Sequence, residues 1–581
     1  MGLTSSLAIG RSALNASQVA IQVTGNNFAN ANTPGYSRQV VSLVPSGEQQ
    51  FGNHFLGRGV GINGITRRID QGLQGRLWNG YSQEASTGAS QQFLSGLESV
   101  TNALGNDNLS SGFDRFFQSW SDLANSPNRD GARALVVSQG RSLATQIKNA
   151  RTDLLNSRTQ LDASTKDSVK QADSIITQIA AVNVQIVTSE GGSGAANSLR
   201  DQRDQLVTQL SQLLDVSVTE DPSGAYNVLV GSIPVVLGSQ ARGLRTEETT
   251  NGTSTDISVH VAADGTQLTI RGGTIGGLLS QRTGKLQATI DKLDSVASQL
   301  IFQVNRVHSQ GYGSTALQSV TGTRTVPLAD TTRALNDPAN ATFAGLPFHA
   351  NNGGFLVTVK NTQTGATETK RINIDLDGIT NTGATGTAND SSIASIAADI
   401  GGVANLSATV NPNGTLSINA ATGYSVSFAE DSSGVLAVLG VNSYFTGHDG
   451  TDIDVRSELL GSPGLLSAGS VTAGQPTDNA GALAIAALHT KGNDFFGGQS
   501  ISAAWRDAAQ QVGADAQGAS SQANAASLVR QNLEAQRAAI SGVSVDEESI
   551  NLLSYQRQYQ GAARFITVVN DLTQTLLGIL R

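Results

Sequence analysis

Six histidines, His54, His260, His308, His349, His448 and His489, are the chain's imidazoles, and none stands in an H-E-x-x-H helix that could set a metal beside a general base. Neither G-x-S-x-G nor G-x-x-x-x-G-K-[ST] occurs, and with no cysteine the chain has no thiol nucleophile, thiolate ligand or disulfide. His308 sits in NRVHSQGY at a helix end, where an imidazole caps or packs. Gly59, Gly61 and Gly64 match G-x-G-x-x-G, but Ile65-Thr66-Arg67-Arg68 continues extended where a phosphate-binding helix should open. Asn373, Asp375, Asp377 and Gly378 imitate the start of an EF-hand loop, yet Ala384 stands where the bidentate glutamate belongs. These residues therefore predict no catalytic site, no cofactor and no metal.

What remains is the chemistry of association. In Ser544–Arg581, Leu552, Tyr555, Tyr559, Ala562, Ile566, Val569, Leu576 and Leu580 recur at steps of three and four, with one lapse at Thr573, and so share a helical face. Ser544 followed by Glu547 has the form of a capping box, and Asp546, Glu547 and Glu548 place negative charge at the helix start. An isolated helix with such a stripe frays unless something covers it. Near the other end, Leu3, Leu7, Leu14, Ile21 and Phe28 form a heptad-spaced stripe with small Gly10, Ser17 and Thr24 between. That stripe is the expected partner, and the helix carrying it should end in Asn27, Asn30, Asn32, Thr33, Pro34, Gly35 and Tyr36, where Pro-Gly suits a type II turn.

The elements between must carry these two ends. Residues 39–80 read as short strands or hairpin arms, and about 80–190 as helix broken near Asn125–Asn128. Residues 197–214 form an amphipathic helix whose DQRDQ charges read as a solvated face. Period-two runs mark an inserted β subdomain at 216–275, helix returns over about 275–309, and alternating runs at 325–455 suggest an outer β sandwich or barrel with a short helix near 392–399. Residues 456–479 lead back, 479–488 and 500–541 are helical, and Gly542 can close the latter. The fold class is α+β and multidomain: 1–38 with 544–581 as a coiled-coil-like inner region, 39–215 with 276–310 and 480–543 as a helical body, and two inserted β domains.

Composition narrows the partners. The net charge is −9, with six arginines against two acids in residues 1–80 and fourteen acids against six bases in 311–480. No basic stripe with interleaved aromatics points to nucleic acid, and no run of 18 apolar residues points to a membrane. MGLTSSLAIGR lacks the charged and apolar regions of a Sec signal, and its loose myristoylation pattern yields to Leu3 and Leu7 as packing residues. Absence of cysteine suits a protein threaded unfolded through a secretion channel, and about as well a cytosolic protein that happens to lack it.

The string NNFANANTPGYSRQ, about 25 residues in, resembles the N-terminal signature of bacterial flagellar axial proteins, and TPGYSRQ is similar to the form found at the hook–filament junction. LRDQRDQLVTQLS, NRVHSQGY, the Gly434–Gly447 segment and LLSYQRQYQGAARFI are similar to further segments of that family. The resemblance implies an extracellular structural subunit, self-associated in a ring, that meets hook protein on one side and hook-associated protein 3 on the other. It also implies flagellar type III export and a cytoplasmic chaperone on the C-terminal helix. A hook or distal rod subunit is the nearest alternative, and a coiled-coil surface adhesin is the alternative from another class.

Overall fold

The computed structural model describes residues 2–51, 53–101, 108–191, 194–251, 254–472 and 475–579. By its contacts the chain divides into two compact units, one of residues 1–93, 160–281 and 517–581, the other of 94–159 and 282–516.

The first unit begins with the N-terminal helix Gly2–Ala29 and ends with the C-terminal helix Val545–Ile579. After the N-terminal helix, strand Gln39–Pro45 pairs antiparallel with Val60–Arg67 in the register Gln39↔Arg67, and the hairpin Glu48–Phe51/His54–Gly57 lies between them in the chain. Gly59, with φ +98°, has the packing role here: a Cβ there would lie 2.2 Å from Ser12 Oγ of the N-terminal helix. Val60 N–H donates to that same Ser12 Oγ. The G-x-G-x-x-G string thus fits an arm against a helix.

Residues 216–275 do not stand apart. Their four-stranded meander Val216–Glu220, Tyr226–Val230, Ile233–Leu237 and Gln240–Ala241 shares one core with the helices before and after it. Ile176, Ile179 and Ile186, Val207 and Leu210, Val228, Val235 and Ile275 are all buried in that core. A thin meander has too little apolar area to fold alone, so it borrows the helical faces.

In the second unit, helix Leu109–Asn125 is capped by Asn108, whose side chain accepts from Ser111 N–H, and turns Phe113, Phe116, Phe117 and Trp120 inward. Around them pack Tyr444 and Phe445, fixed by Asn305, whose side chain accepts from both their N–H groups and donates to Phe445 O. Helix returns as Gly273–Gln281, a π turn Arg282–Leu286 and Gln287–His308, of which the last two lie in this unit. The outer β region holds two three-stranded sheets, Thr367–Ile374/Gly353–Asn361/Tyr424–Ala429 and Ser319–Thr321/Leu416–Ala420/Leu406–Val410, and the short pair Phe445–Thr446/Asp454–Val455. Helix Ile393–Gly401, started by a Ser392/Ser395 capping box, packs on strand Leu406–Val410. Gly434–Gly447 proves to hold a short helix, Val435–Leu439, flanked by left-handed Gly434 and Gly440. Its apolar residues are buried on every side, which removes the alternation a strand would show.

Candidate functional site

The N- and C-terminal helices lie against each other. Gly10 meets Ile566 and Phe565, while Asn27 meets Glu548, so the helices run antiparallel. The buried residues of the N-terminal helix are Gly10, Ala16, Ser17, Ala20, Val23, Thr24 and Asn27, covered by the C-terminal helix and by strands Gln39–Pro45 and Val60–Arg67. Leu3, Leu7, Leu14 and Ile21 flank them half-buried, and Phe28 is 50% exposed. The large residues of the expected stripe are thus not the fully buried ones: mostly small residues are, and at Gly10 the missing side chain lets the two helices approach closely. Without a Cβ, Gly10 leaves room for Ile566 Cγ1, which would lie 2.7 Å from one.

On the C-terminal helix, Glu548, Ala562 and Val569 are buried, and Leu552, Tyr555, Ile566 and Thr573 are half-buried on the same side. Thr573 continues this seam, its hydroxyl turned back onto Val569 O. Tyr559 is 38% exposed at the seam's edge and Leu576 is 49% exposed. The reason for Leu576 is length: counting eight residues from Gly10 back to Gly2, and eight on from Ile566, the N-terminal helix gives out opposite about 574. Leu580 lies outside the described residues. A second apolar strip, Phe565, Val568, Leu572 and Ile579, stays 44% to 75% exposed.

The signature turn locks this pair. Gly35 has φ +79° and Tyr36 N–H donates to Thr33 O at 3.2 Å, which makes Thr33–Tyr36 the expected Pro-Gly turn. Asn30 bonds Asn26 and accepts from the Thr33 hydroxyl, whereas Asn32 is exposed. The hub is Asn27, only 1% exposed. Its Oδ1 accepts from Gln39 N–H (3.0 Å) and Tyr36 Oη (2.8 Å), and its Nδ2 donates to Gln39 O (2.8 Å) and Glu548 Oε2 (3.2 Å). Arg38 follows: its N–H donates to Ser541 O, its guanidinium bonds Glu547 at 2.8 Å, and it lies 2.7 Å from buried Glu548 Oε1 as a charge contact without hydrogen-bond alignment. Glu547 is therefore drawn to Arg38 and supplies only the Ser544-to-N3 half of the anticipated capping box.

The DQRDQ face, read as solvated, is buried. Asp201 and Asp204 hold Arg67 at 2.8 and 2.7 Å, and Ser37 N–H reaches Asp201. Arg203 is fully covered, its guanidinium over the Tyr226 ring and donating to Gly224 O and Asn183 Oδ1. Burial lowers the Arg67 pKa, but Asp204 and Asp201 outweigh it and the net shift is upward. Tyr36 is pushed up to about 12 by burial and by the nearby charges of Asp201 and Glu548. Sequence spacing gave no hint of this cluster, because its cation comes from a strand more than a hundred residues away. Gln205 Nε2 and Arg537 complete the clamp by donating to Pro34 O and Gly35 O.

His308 is buried as a neutral ring. Its Nδ1–H donates to Asn442 O at 2.8 Å and its Nε2 accepts from Ser467 N–H at 3.0 Å. Burial lowers its pKa to about 4, so it holds neighbouring segments and has no free nitrogen for catalysis. Among the described residues, two groups have oxygen or nitrogen atoms close enough to share a cation, His448/Asp449/Asp452 and Asp375/Asp377/Asp390.

A clamped Asn-rich turn joining antiparallel terminal helices, with apolar residues left outward, defines a protein that works by packing against neighbours. Three family models agree with that class: a flagella basal body rod protein family over residues 7–36, the flagellar hook-associated protein FlgK helical domain over 94–322, and the C-terminal region of the basal body rod FlgEFG proteins over 534–579. The chain is 25% identical to flagellar hook-associated protein 1 of Salmonella typhimurium, over 98% of each chain, and 25% identical to that of Escherichia coli K12, again over 98% of each. The Bacillus subtilis protein of that name is 33% identical over 38% of this chain and 44% of its own. The flagellar hook junction protein FlgK of Burkholderia pseudomallei shares the fold, with TM-score 0.51 and 16% identity, over 81% of this chain and 100% of that one. The chain is a flagellar axial protein. Within that class its similarity to the hook-associated protein 1 relatives, nearly end to end for the Salmonella and Escherichia proteins, makes it a structural protein of the hook–filament junction.

Proposed function

We propose that the protein forms a ring between hook and filament, with its paired terminal helices as the inner layer and neighbouring copies covering the strip Phe565, Val568, Leu572 and Ile579. That strip carries the reading. Val568, Leu572 and Ile579 are exposed beside an overhanging last turn where Leu576 and Leu577 are exposed too, and Phe565, which meets Gly10 of the N-terminal helix at one edge, is still 44% exposed. Apolar residues in such a row lose contact with water only on meeting another surface.

In this reading hook protein lies on one side and hook-associated protein 3 on the other. The subunit acts without catalysis, leaves the cell through the flagellar type III route, and has its C-terminal helix held beforehand by an export chaperone. The same apolar row serves chaperone and neighbour in turn.

The test is truncation after Asp571, which removes Leu572, Leu576, Leu577 and Ile579 and leaves the inner seam through Val569 in place. In a deletion strain complemented with this variant, electron microscopy of hook–basal bodies should show intact hooks without filaments. Filaments of normal number would overturn the proposal, and missing hooks would favour a hook or rod role.

A further inference from the structure

In the second unit, strand Thr367–Ile374 ends at Asp375, and the chain returns at Asp390 just before helix Ile393–Gly401. Asp375, Asp377 and Asp390 each bring one carboxylate oxygen within 4.8 Å of the others. No lysine or arginine forms an ion pair with any of the three among the described residues. Three carboxylates at this separation repel unless a cation or protons intervene.

Asp390 adds an observation of another kind. It is 7% exposed; its Oδ2 accepts from Gly378 N–H at 3.1 Å and Asn336 Nδ2 at 2.5 Å, but its Oδ1 is buried with no donor. The side-chain oxygens of Asn336 and Asn389 are also buried without donors, although their amide nitrogens bond Asp390 and Asp375. The locality therefore has an excess of oxygen lone pairs over hydrogen-bond donors. Buried acceptors in that condition call for a positively charged partner.

We propose that Asp375, Asp377 and Asp390 bind a divalent cation, Ca²⁺ by the chemistry of the set. All the ligands are oxygens, three are anionic, and neither imidazole nor thiolate is present to favour zinc or copper. The EF-hand count along the sequence ended at Ala384, but the fold closes the site with Asp390, six residues further on. Gly378, at φ +70°, turns the chain so that its N–H meets Asp390, and Gly386 N–H closes onto Gly378 O. Asn373, the first residue of the sequence pattern, is exposed on the strand and outside the cluster. The His448/Asp449/Asp452 group differs, since His448 Nδ1 already bonds Asp452 at 2.7 Å and no orphaned buried oxygen accompanies it.

The test is calorimetric titration of the metal-stripped full chain with calcium chloride, alongside thermal unfolding with and without the ion. We expect one saturable site in the range of extracellular calcium modules, Kd about 10⁻⁴ to 10⁻³ M, with Mg²⁺ weaker by roughly tenfold. Asp377→Asn and Asp390→Asn should each weaken binding about tenfold or more, and Asp452→Asn should leave it unchanged. Asp377 is exposed, so its variant keeps the test available should Asp390→Asn fail to fold. No saturable heat up to about 10 mM Ca²⁺, wild-type binding by Asp377→Asn, or loss of binding in Asp452→Asn would each overturn the site.

Discussion

Replacing Asn27 by alanine removes one side chain and leaves three elements without a common tie. In the intact protein the Gln39 N–H points to Asn27 Oδ1 and the Gln39 carbonyl takes Asn27 Nδ2, with Gln39 itself only 8% exposed. Each of these two buried groups loses its side-chain partner, at about 1 to 3 kcal/mol apiece. Tyr36 is half-buried and can turn its hydroxyl to water, whereas buried Glu548 loses the hydrogen bond to its Oε2 and keeps only the charge contact with Arg38, which adds to the loss. The expected loss from Gln39 alone is about 2 to 6 kcal/mol, felt where the signature turn joins the two helices. A chain of two units does not unfold as one state, so a single melting temperature would blur the effect. Hydrogen exchange at the Gln39 amide reads it directly: a loss of about 2 kcal/mol speeds exchange roughly thirtyfold if opening is local. Amides deep in the second unit, such as that of Leu293, should not change. Gln39 exchange within about threefold of wild type would refute the reasoning, because it would mean that Asn27 protects nothing.

Gly10→Val should force the helices apart, since even a Cβ there lies 2.7 Å from Ile566 Cγ1 and 3.1 Å from Phe565 Cδ1. Overpacking of this kind costs about 1 to 3 kcal/mol, to be seen as faster exchange along Val545–Ile579 and relieved by Ile566→Ala; a single variant with wild-type protection would contradict the close approach. For His308, the ring titrates near 6.5 when unfolded and at about 4 when folded, so only the unfolded chain takes up a proton between those values. The stabilisation, about 3 kcal/mol, is fully present above pH 6.5 and lost as pH falls toward 4. Thermal unfolding of the wild type should therefore weaken more steeply on acidification than that of His308→Gln, and equal slopes would count against the buried neutral ring.

The two helices and the turn between helix and strand were legible because their signals are local. Three-and-four spacing in Leu552–Val569 marks a face whatever covers it, and Pro34-Gly35 carries its own backbone preference. The outer region was legible only in part. Period two marked its strands, but which strands pair depends on residues far apart, as where Gly353–Asn361 pairs with Tyr424–Ala429. The apolar run Val435–Leu439 illustrates the limit, since burial on every side erases the periodicity that separates helix from strand.

The sequence by itself determined that this chain has amphipathic ends, an Asn-rich turn, no thiol chemistry and no catalytic string, because each of these resides in residue identity and short spacing. Only the tertiary structure decided that Gly10 meets Ile566, that Asp201 and Asp204 neutralise Arg67, and that Asp390 joins Asp375 and Asp377. In each case the deciding quantity is a distance between residues remote in the chain. Close approach, charge pairing and ligand grouping have no energy until folding brings those atoms together.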